Sequence, residues 1–318
     1  MMYCTSRSAR WAAVLACGLV GCAVSAGDAK GGSLLGWGSS QYGQCDVPDG
    51  DDYVAVAAGG GYSVALRQDG SLVAWGDNSY GRCDVPNGSD FEAIASYSSH
   101  SLALRTNGSL AAWGKNNHGQ CDVPGGNDFE AVSVGYDFSV ALKQDGSLVA
   151  WGSDSFGRLD VPAGNDFAAI AAGDQHGLAL RQDGSLAAWG TSYMGVGDVP
   201  GGNDFVAIAA GAGHGVALRV DGSIIAWGDS EFDQLNAPAG DDFSAIAAGI
   251  WHSVALREDG SLESWGAGMT DVPPGNHYLA IACGGGHSLA IVPEPPTLVA
   301  LWSIALVGLF CAWRRTQK

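Results

Sequence analysis

The sequence predicts an all-β fold, a seven-bladed β-propeller built from 38-residue repeats. Three observations predict it. A Trp-Gly pair recurs every 38 residues, each interval contains short apolar runs separated by Gly, Pro, Asn or Asp, and no interval has the apolar stripe of a helix. A fixed period of this length is typical of a repeat architecture. The repeat markers are Trp37, Trp75, Trp113, Trp151, Trp189, Trp227 and Trp265.

Each repeat contains a predicted β-hairpin. Residues 63–67 and 72–75 are short apolar runs joined by Asp69-Gly70. An Asp-Gly pair between such runs predicts a tight primed turn, because those turns need positive φ angles. A small-residue run such as 91–95 and a run that ends in Cys-Asp-Val-Pro complete about four short strands per repeat, the content of one propeller blade. Neighbouring blades would cover both faces of each sheet, with the tryptophan as a wedge between them.

The two ends of the repeat array predict a closed ring. Residues 33–37 form the second arm of a hairpin that lacks a first arm, and residues 287–291 form a first arm that lacks a second. We expect these segments to pair antiparallel, which would remove both exposed sheet edges. The propeller would then comprise residues 32–292.

The repeat motif resembles a known family. The pattern Gly-x-x-His-Ser-Val-Ala-Leu-Arg-x-Asp-Gly-Ser-Leu-x-x-Trp-Gly begins at Gly249 and, with Tyr62 in place of the histidine, at Gly59. It is similar to the regulator of chromosome condensation repeat family, whose members are seven-bladed β-propellers. The family includes nucleotide exchange factors for a small GTPase, ubiquitin ligase modules and secreted bacterial inhibitors of β-lactamase. The resemblance therefore implies a fold but no single function.

The chain is strongly acidic, which limits its partners. It has 33 Asp and Glu residues against 15 Lys and Arg residues, a net charge of −18. Phosphate backbones and anionic membrane surfaces repel such a protein. We therefore expect no nucleic-acid partner, and membrane contact only through the terminal segments.

The N-terminus predicts a secretory signal peptide over residues 1–26, followed by a short linker over 27–31. Two arginines precede an apolar run, and Val24-Ser25-Ala26 provides a small-residue cleavage site. The alternative is a lipoprotein signal in which Cys22 is lipidated.

The C-terminus predicts a sorting signal over residues 293–318. Pro293-Glu294-Pro295 precedes an apolar run, 297–313, which at ~1.5 Å per residue is just long enough to span a membrane. Arg314-Arg315 follows and would stay in the cytoplasm. This order resembles a PEP-CTERM signal, which implies processing by an exosortase-like transpeptidase in exopolysaccharide-producing bacteria. A plain tail anchor is the alternative. Under either interpretation of the C-terminus, the two terminal segments predict export to the outer envelope or beyond, with transient anchoring in the inner membrane.

Five histidines share one repeat position, and Tyr62 and Phe138 occupy it in the other two repeats. A position that accepts phenylalanine requires a planar side chain, so we do not interpret these histidines as metal ligands or catalytic bases. They are His100, His176, His214, His252 and His287.

Other chemistry-bearing residues also have structural interpretations. Two aspartate rows, which begin at Asp46 and Asp52, are predicted to hydrogen-bond their own turns, and no loop has the spacing of a calcium site. Cys45 and Cys83 would lie too far apart for a disulfide, so we expect none in the repeats. No phosphate-binding loop or nucleophile elbow is present. The sequence therefore predicts a non-enzymatic protein without a metal or cofactor.

The predicted partner-binding site lies on loops. The Gly-x-x-His loops and the loops after Trp-Gly should share one face, and the Asp-Gly and Asp-Val-Pro turns the other. The first face differs in every repeat, whereas the second barely varies. Binding residues concentrate on loops held by a rigid scaffold, and Tyr and Trp are favoured anchors. Unselected drift of the repeats is the alternative. The predicted contact residues are Tyr97, Tyr136, Asp137, Asp174, Tyr193 and Trp251.

The predicted function is that of an exported scaffold that binds a protein or glycan of the envelope or extracellular matrix. One alternative is a guanine-nucleotide exchange-type regulator, which export would separate from cytosolic GTPases. Two others are a structural spacer of the matrix and a hydrolytic propeller, for which the sequence offers no converging polar groups.

Overall fold

The computed structural model describes residues 31–267 and 271–293 and has an all-β fold, as predicted. Among these residues three single-turn 3-10 helices interrupt the strands, at Ser79–Gly81, Ser155–Gly157 and Tyr193–Gly195. The strands of the described residues are β1 (Gly32–Gly38), β2 (Tyr53–Ala58), β3 (Tyr62–Arg67), β4 (Leu72–Gly76), β5 (Phe91–Tyr97), β6 (His100–Arg105), β7 (Leu110–Gly114), β8 (Phe129–Val134), β9 (Phe138–Lys143), β10 (Leu148–Gly152), β11 (Phe167–Ala172), β12 (His176–Arg181), β13 (Leu186–Gly190), β14 (Phe205–Ala210), β15 (His214–Arg219), β16 (Ile224–Gly228), β17 (Phe243–Ala248), β18 (His252–Arg257), β19 (Leu262–Gly266), β20 (Ala280–Cys283) and β21 (His287–Pro293).

The strands form repeated three-stranded antiparallel sheets. Five of them are β5-β6-β7, β8-β9-β10, β11-β12-β13, β14-β15-β16 and β17-β18-β19, and the remaining strands form one sheet in the order β20-β21-β1-β2-β3-β4. In that larger sheet the only pair between β1 and β2 is Gly32↔Tyr53. It therefore consists of two three-stranded units that meet at one point.

The first and last described strands pair with each other. β1 and β21 are antiparallel along their whole lengths, from Gly32↔Pro293 to Gly38↔His287. This pairing is the one that the sequence predicts for residues 33–37 and 287–291. It joins a strand from each end of the repeat array into one three-stranded unit, β20-β21-β1.

The fourth strand that the sequence predicts in each repeat is absent from the described residues. The Cys-Asp-Val-Pro segments are irregular, and in one of them the amide of Val85 donates to the carbonyl of Cys83. The proline that follows has no N–H group for a ladder, which explains why the prediction was wrong. The valine still packs against the core between two sheets.

The hairpin turn also differs from the predicted primed turn. The Arg67 amide donates to the Ser71 carbonyl, and the Gly70 amide donates to the Arg67 carbonyl, so the loop has three residues. Only Gly70 has a positive φ, 80°, whereas Asp69 does not. This geometry is a type I turn followed by a glycine bulge. The Asp69 carboxylate accepts hydrogen bonds from the amide and hydroxyl of Ser71, which stabilises the turn.

The core lies between neighbouring sheets rather than inside one sheet. Val54 and Tyr62 from the β2-β3-β4 sheet form one buried cluster with Phe91 and Trp113 from the β5-β6-β7 sheet. The Trp113 indole N–H donates to the Arg82 carbonyl at 2.8 Å, which fixes the ring in the wedge position that the sequence predicts. Five other repeats have the equivalent indole bond, from Trp75, Trp151, Trp189, Trp227 and Trp265.

The first strands of successive sheets line the centre. β2 contacts β5, β5 contacts β8, and the contacts continue through β11, β14 and β17 to β20, which contacts β2. These strands are rich in alanine, which allows them to approach closely.

The predicted terminal segments lie outside the described residues. They are the signal peptide 1–26, Cys22, nearly all of the linker 27–31, the membrane segment 297–313, and Glu294, Pro295, Arg314 and Arg315 of the sorting signal. Pro293 is described and is the last residue of β21. Within 31–267 and 271–293, no helix is both long and apolar enough to cross a membrane.

Candidate partner-binding face

One end of every sheet carries two loops that bond to each other. The Asp77 amide, just after Trp-Gly, donates to the Gly61 carbonyl in the Gly-x-x-His type loop, and the Ala267 amide donates equivalently to Trp251. We call this end the loop face. At the opposite end, the Asp-Gly turn of one sheet bonds to the start of the next, as the Phe91 amide does to the Gly70 carbonyl. We call that end the turn face.

The aspartates of the Asp-Val-Pro segments lie on the loop face, contrary to the prediction. The Asp84 carboxylate accepts a hydrogen bond from the Asn78 side chain at 3.0 Å, and Asp122 accepts one from Asn116 at 2.8 Å. Both asparagines belong to the loops after Trp-Gly. The second aspartate row lies on the turn face, but it forms ion pairs rather than bonds to its own turn. The Arg181 guanidinium contacts Asp166 at 2.7 Å and packs on the Phe167 ring.

Three of the six predicted contact residues are exposed on the loop face. Tyr193 is 70% exposed and Trp251 is 49% exposed, and Tyr136 is also open to solvent. The Trp251 ring packs against the Phe232 ring at a centroid distance of 5.7 Å. Tyr193 and Asp174 line a cleft of about 210 Å³, together with Met194.

Tyr97 is buried, so its predicted role as a surface contact is wrong. It is 1% exposed and belongs to a core cluster that also contacts Ile250, which follows β17. The sheets of β5 and β17 are not neighbours, so this contact places the ring at the centre of the molecule. Tyr97 occupies the position of Gly135 and Gly173 in the next repeats, where an added Cβ atom would lie 2.0 Å and 2.3 Å from its nearest neighbour. Tyr97 is therefore a central core residue.

Asp137 and Asp174 do not form an exposed rim either. Asp137 is 7% exposed, and its carboxylate accepts from Lys115 at 3.0 Å and from the Gln120 amide at 3.1 Å. Asp174 is partly buried, which raises the pKa of its carboxyl, and the Tyr97 hydroxyl and the Arg158 guanidinium oppose that rise. These groups connect the centre of the loop face to the core.

The histidine row is buried and links neighbouring sheets. His100 Nε2 lies 2.9 Å from Ser139 Oγ, and the pairs His214–Ser253, His252–Ser288 and His287–Ser63 repeat this contact. Burial lowers the pKa of His100 to about 3, so these imidazoles are neutral. The structure supports the structural interpretation, and it adds the serine partners, which sequence reasoning missed.

His176 is the exception in that row. The position of its serine partner is taken by Gly215, and a Cβ there would lie 2.4 Å from the Trp227 ring. Neither imidazole nitrogen of His176 has a hydrogen-bond partner among the described residues. One repeat earlier Gly177 likewise takes the serine position, and Phe138 takes the histidine position with a ring that needs no partner. His176 is therefore an unpaired polar group in a site that suits phenylalanine.

Sequence reasoning missed a second row on the loop face. Its members follow the repeat tryptophans by five residues, in the loops after Trp-Gly, and five of the six are large exposed hydrophobic side chains. The constant spacing after Trp-Gly was a signal that could have found them. We call the set the rim row: Tyr42, Tyr80, His118, Phe156, Met194 and Phe232.

The rim row is held in two backbone conformations. Tyr80, Phe156 and Met194 have φ angles of 63°, 67° and 56°, which bulky residues rarely adopt. In the other three loops the amide of the rim residue donates instead to a glutamine side chain two residues later, as Phe232 does to Gln234 at 2.6 Å. A strained backbone at residues whose side chains remain exposed is a reason to suspect function.

The loop face is negative. Of its cations, Arg82 pairs with Asp77 at 2.8 Å, Lys115 pairs with Asp137, and Arg158 is 5% exposed. The exposed carboxylates of this face are Asp46, Asp84, Asp122, Asp154, Asp160, Asp198, Glu231, Asp233 and Asp271.

Neither a metal site nor a disulfide is found in the described part of the chain. No three His, Cys, Asp or Glu side chains of 31–267 and 271–293 converge as metal ligands would. Cys45, Cys83, Cys121 and Cys283, the cysteines of those residues, are free thiols.

Five stretches match the family described as the Regulator of chromosome condensation (RCC1) repeat, at residues 53–82, 91–120, 129–158, 167–196 and 205–234. The chain belongs to the RCC1-repeat family. Each matched stretch starts at the first strand of a sheet and ends in the loop after Trp-Gly. No curated protein sequence matches the chain.

Solved structures share the fold. Prp20p of Saccharomyces cerevisiae is 18% identical, with a TM-score of 0.72 over 88% of this chain and 96% of that one. Human WBSCR16 is 17% identical, with a TM-score of 0.65 over 82% of this chain and 98% of that one. The ectodomain of the Physcomitrella patens receptor kinase CR4 is 25% identical, with a TM-score of 0.62 over 75% of this chain and 69% of that one. These structures show the fold that the chain shares with them.

Proposed function

We propose that the chain is a closed seven-bladed propeller that acts as an exported, non-enzymatic scaffold and binds a protein or glycan through its loop face. The observation that carries this proposal is the contrast between the two faces. The loop face varies from repeat to repeat and exposes Phe156, Tyr193 and Trp251, whereas the turn face repeats the same ion pair and the same Asp-Gly turn. Exposed aromatic residues on loops are favoured binding anchors.

Closure of the ring would give the loops a rigid base. The β1–β21 pairing joins the ends of the array, and the contact of β20 with β2 continues the series of inner strands. Seven blades would then be the six sheets that begin at β2, β5, β8, β11, β14 and β17, together with β20-β21-β1. A ring without free edges also protects a protein from edge-to-edge aggregation.

Export is part of the proposal and rests on the terminal sequences. Residues 1–26 would be removed as a signal peptide, and an exosortase-like enzyme would recognise Pro293-Glu294-Pro295 and Arg314-Arg315. Intact mass analysis of the protein from the native bacterium tests this step. A mature chain that lacks both ends supports it, and a full-length chain in the cytoplasm contradicts it. Prp20p binds Gsp1p and histones, but at 18% identity its likeness to this chain shows the fold alone.

Affinity capture tests the binding role. The full chain would be used as bait in envelope and matrix extract, beside a loop-face variant with Phe156, Tyr193 and Trp251 changed to Ala. A turn-face variant with Gln144, Gln182 and Val220 changed to Ala is the matched control, because these exposed residues lie beside Asp-Gly turns. A species lost only by the loop-face variant supports the proposal. Equal retention by all three proteins contradicts it and favours a structural spacer of the matrix.

A further inference from the structure

The rim row alternates with carboxylates around the loop face. Asp84 follows Tyr80 by four residues, and Asp160 follows Phe156 at the same spacing. The same pairing recurs for Tyr42, His118 and Met194 with Asp46, Asp122 and Asp198, and Asn236 takes the acidic position after Phe232. The surface therefore presents aromatic or apolar side chains and negative charges side by side.

The positive charge of the described chain lies mainly on the other face. Six cations occupy the ends of the second strands and pair there with the second aspartate row: Arg67, Arg105, Lys143, Arg181, Arg219 and Arg257. On the loop face, no described cation is both exposed and unpaired. The loop face thus has an excess of exposed carboxylates that the protein itself does not neutralise.

The rings of the loop face already contact cations from the protein side. The Arg82 guanidinium lies 5.5 Å from the centre of the Tyr80 ring, and the Arg158 guanidinium lies 5.7 Å from that of Phe156. The Lys115 ammonium lies 5.7 Å from the Tyr136 ring. Aromatic faces attract cations through their quadrupole. Since these rings are largely exposed, they can accept a second cation from solvent.

We propose that the partner docks on the loop face through a segment rich in lysine and arginine, whose side chains lie between the rim row and the adjacent carboxylates. This inference rests on the proposed function and names the chemistry of the partner. Charge complementarity favours this occupant, because carboxylates and aromatic faces both attract cations. A neutral glycan would use the rings but gain nothing from the charge, and an anionic polymer would be repelled.

The test uses the full chain and synthetic probes. Binding of a labelled decalysine peptide would be measured by fluorescence anisotropy at low and at physiological salt, beside a neutral Gly-Ser peptide of equal length and a neutral oligosaccharide. The charge variant changes Asp84, Asp160 and Asp198 to Asn, and Asn236 shows that this position accepts asparagine. The control variant changes Asp69, Asp183 and Asp221 to Asn on the turn face. Asn107 makes the same turn bonds there as those aspartates do.

We expect decalysine to bind the native chain, with an affinity that falls as salt rises. The charge variant should bind about tenfold more weakly, since each exposed ion pair contributes a modest amount. The control variant, which carries the same change in net charge, should stay within about twofold of the native chain. A third variant, Phe156→Ala with Phe232→Ala, should also lose several-fold affinity.

Three outcomes would overturn the inference. Equal losses in the charge and control variants would mean that only net charge matters. Unchanged binding in the ring variant would remove the rim row from the site. Binding of the oligosaccharide but not of decalysine would make the occupant a glycan. After any of these three outcomes the proposed function still holds if the loop-face variant loses a native partner in the affinity capture. Equal capture by the native chain, the loop-face variant and the turn-face control would contradict the proposed function itself.

Discussion

Mild acid should destabilise this protein strongly, because five imidazoles are buried in their neutral form. His100, His176, His214, His252 and His287 are almost completely excluded from solvent. Burial lowers the pKa of His100 and His214 to about 3 and the pKa of the other three to about 4. A histidine in an unfolded chain has a pKa of about 6.5.

The unfolded state therefore binds more protons than the folded state below about pH 6.5. The stability that depends on these groups is present above that pH and is lost as the pH falls towards 4. At about pH 5 each histidine contributes a loss of roughly 2 kcal/mol, since one pH unit corresponds to about 1.36 kcal/mol. Five such losses add to about 10 kcal/mol, comparable with the whole stability of a typical domain. Burial raises the pKa of the Asp174 and Glu92 carboxyls, which acts in the opposite direction, but these are two groups against five.

Urea unfolding followed by tryptophan fluorescence at about pH 7.5, 6 and 5 measures this effect. We expect the free energy of unfolding to fall steeply over this range. A free energy that stays constant between pH 7.5 and 5 would refute the reasoning, because it would mean that the histidines are protonated or accessible in the folded state.

A pair of variants separates the histidine effect from general acid instability. Between neutral pH and pH 5 the free energy of unfolding of His176→Phe should fall by about 2 kcal/mol less than that of the native chain. The reason is that the change removes one titrating group that has no partner. His214→Phe should show the same smaller pH dependence but should also lose about 1–3 kcal/mol at neutral pH. Its change leaves Ser253 Oγ without the imidazole that bonds it at 2.9 Å. Equal free energies of unfolding for the two variants at neutral pH would mean that the bond between Ser253 and the His214 imidazole does not stabilise the fold.

Three further predictions concern the core, the strand closure and a thiol. Tyr97→Ala should lower the free energy of unfolding by about 3–5 kcal/mol, as expected for a large aromatic residue removed from a core. Tyr136→Ala should change it by less than about 0.5 kcal/mol. Urea unfolding of both variants checks this, and equal effects would contradict the central position of Tyr97. Deletion of residues 33–37 should lower the melting temperature sharply, because it leaves β21 without its partner β1, and an unchanged melting curve would show that the pairing is dispensable. Cys83 should react with a thiol reagent about two orders of magnitude more slowly than free cysteine near pH 8, because burial raises its pKa to about 11; a rate equal to that of free cysteine would show that the thiol is exposed.

The repeat made the general architecture predictable. The 38-residue interval placed every second and third strand of a sheet, and the incomplete units at both ends predicted the pairing of β1 with β21. The wedge role of the tryptophans also followed, since a large side chain at a fixed position in every repeat must fill the same space. These features depend on period and polarity, which a sequence displays directly.

The individual residues of the binding face were harder to predict. Tyr97 stands at a loop position but extends β5 by one residue and turns its ring to the centre, where other repeats have glycine. Which side of a loop backbone faces the centre is a three-dimensional property that the spacing does not show. Asp137 is hidden for a similar reason, because Lys115 and Gln120 from the adjacent loop cover it. The predicted contact residues are ones that differ between repeats, whereas the rim row carries a large aromatic or apolar side chain in nearly every repeat and was therefore missed.

In the proposed function the loop face, and not the molecule as a whole, binds the partner. The most direct measurement is quantitative mass spectrometry of the species retained by the full chain, by the loop-face variant of Phe156, Tyr193 and Trp251, and by the turn-face control of Gln144, Gln182 and Val220. We predict at least one envelope or matrix species whose retention falls about tenfold or more in the loop-face variant and is unchanged in the control. Retention that falls equally in both variants, or in neither, would contradict the claim.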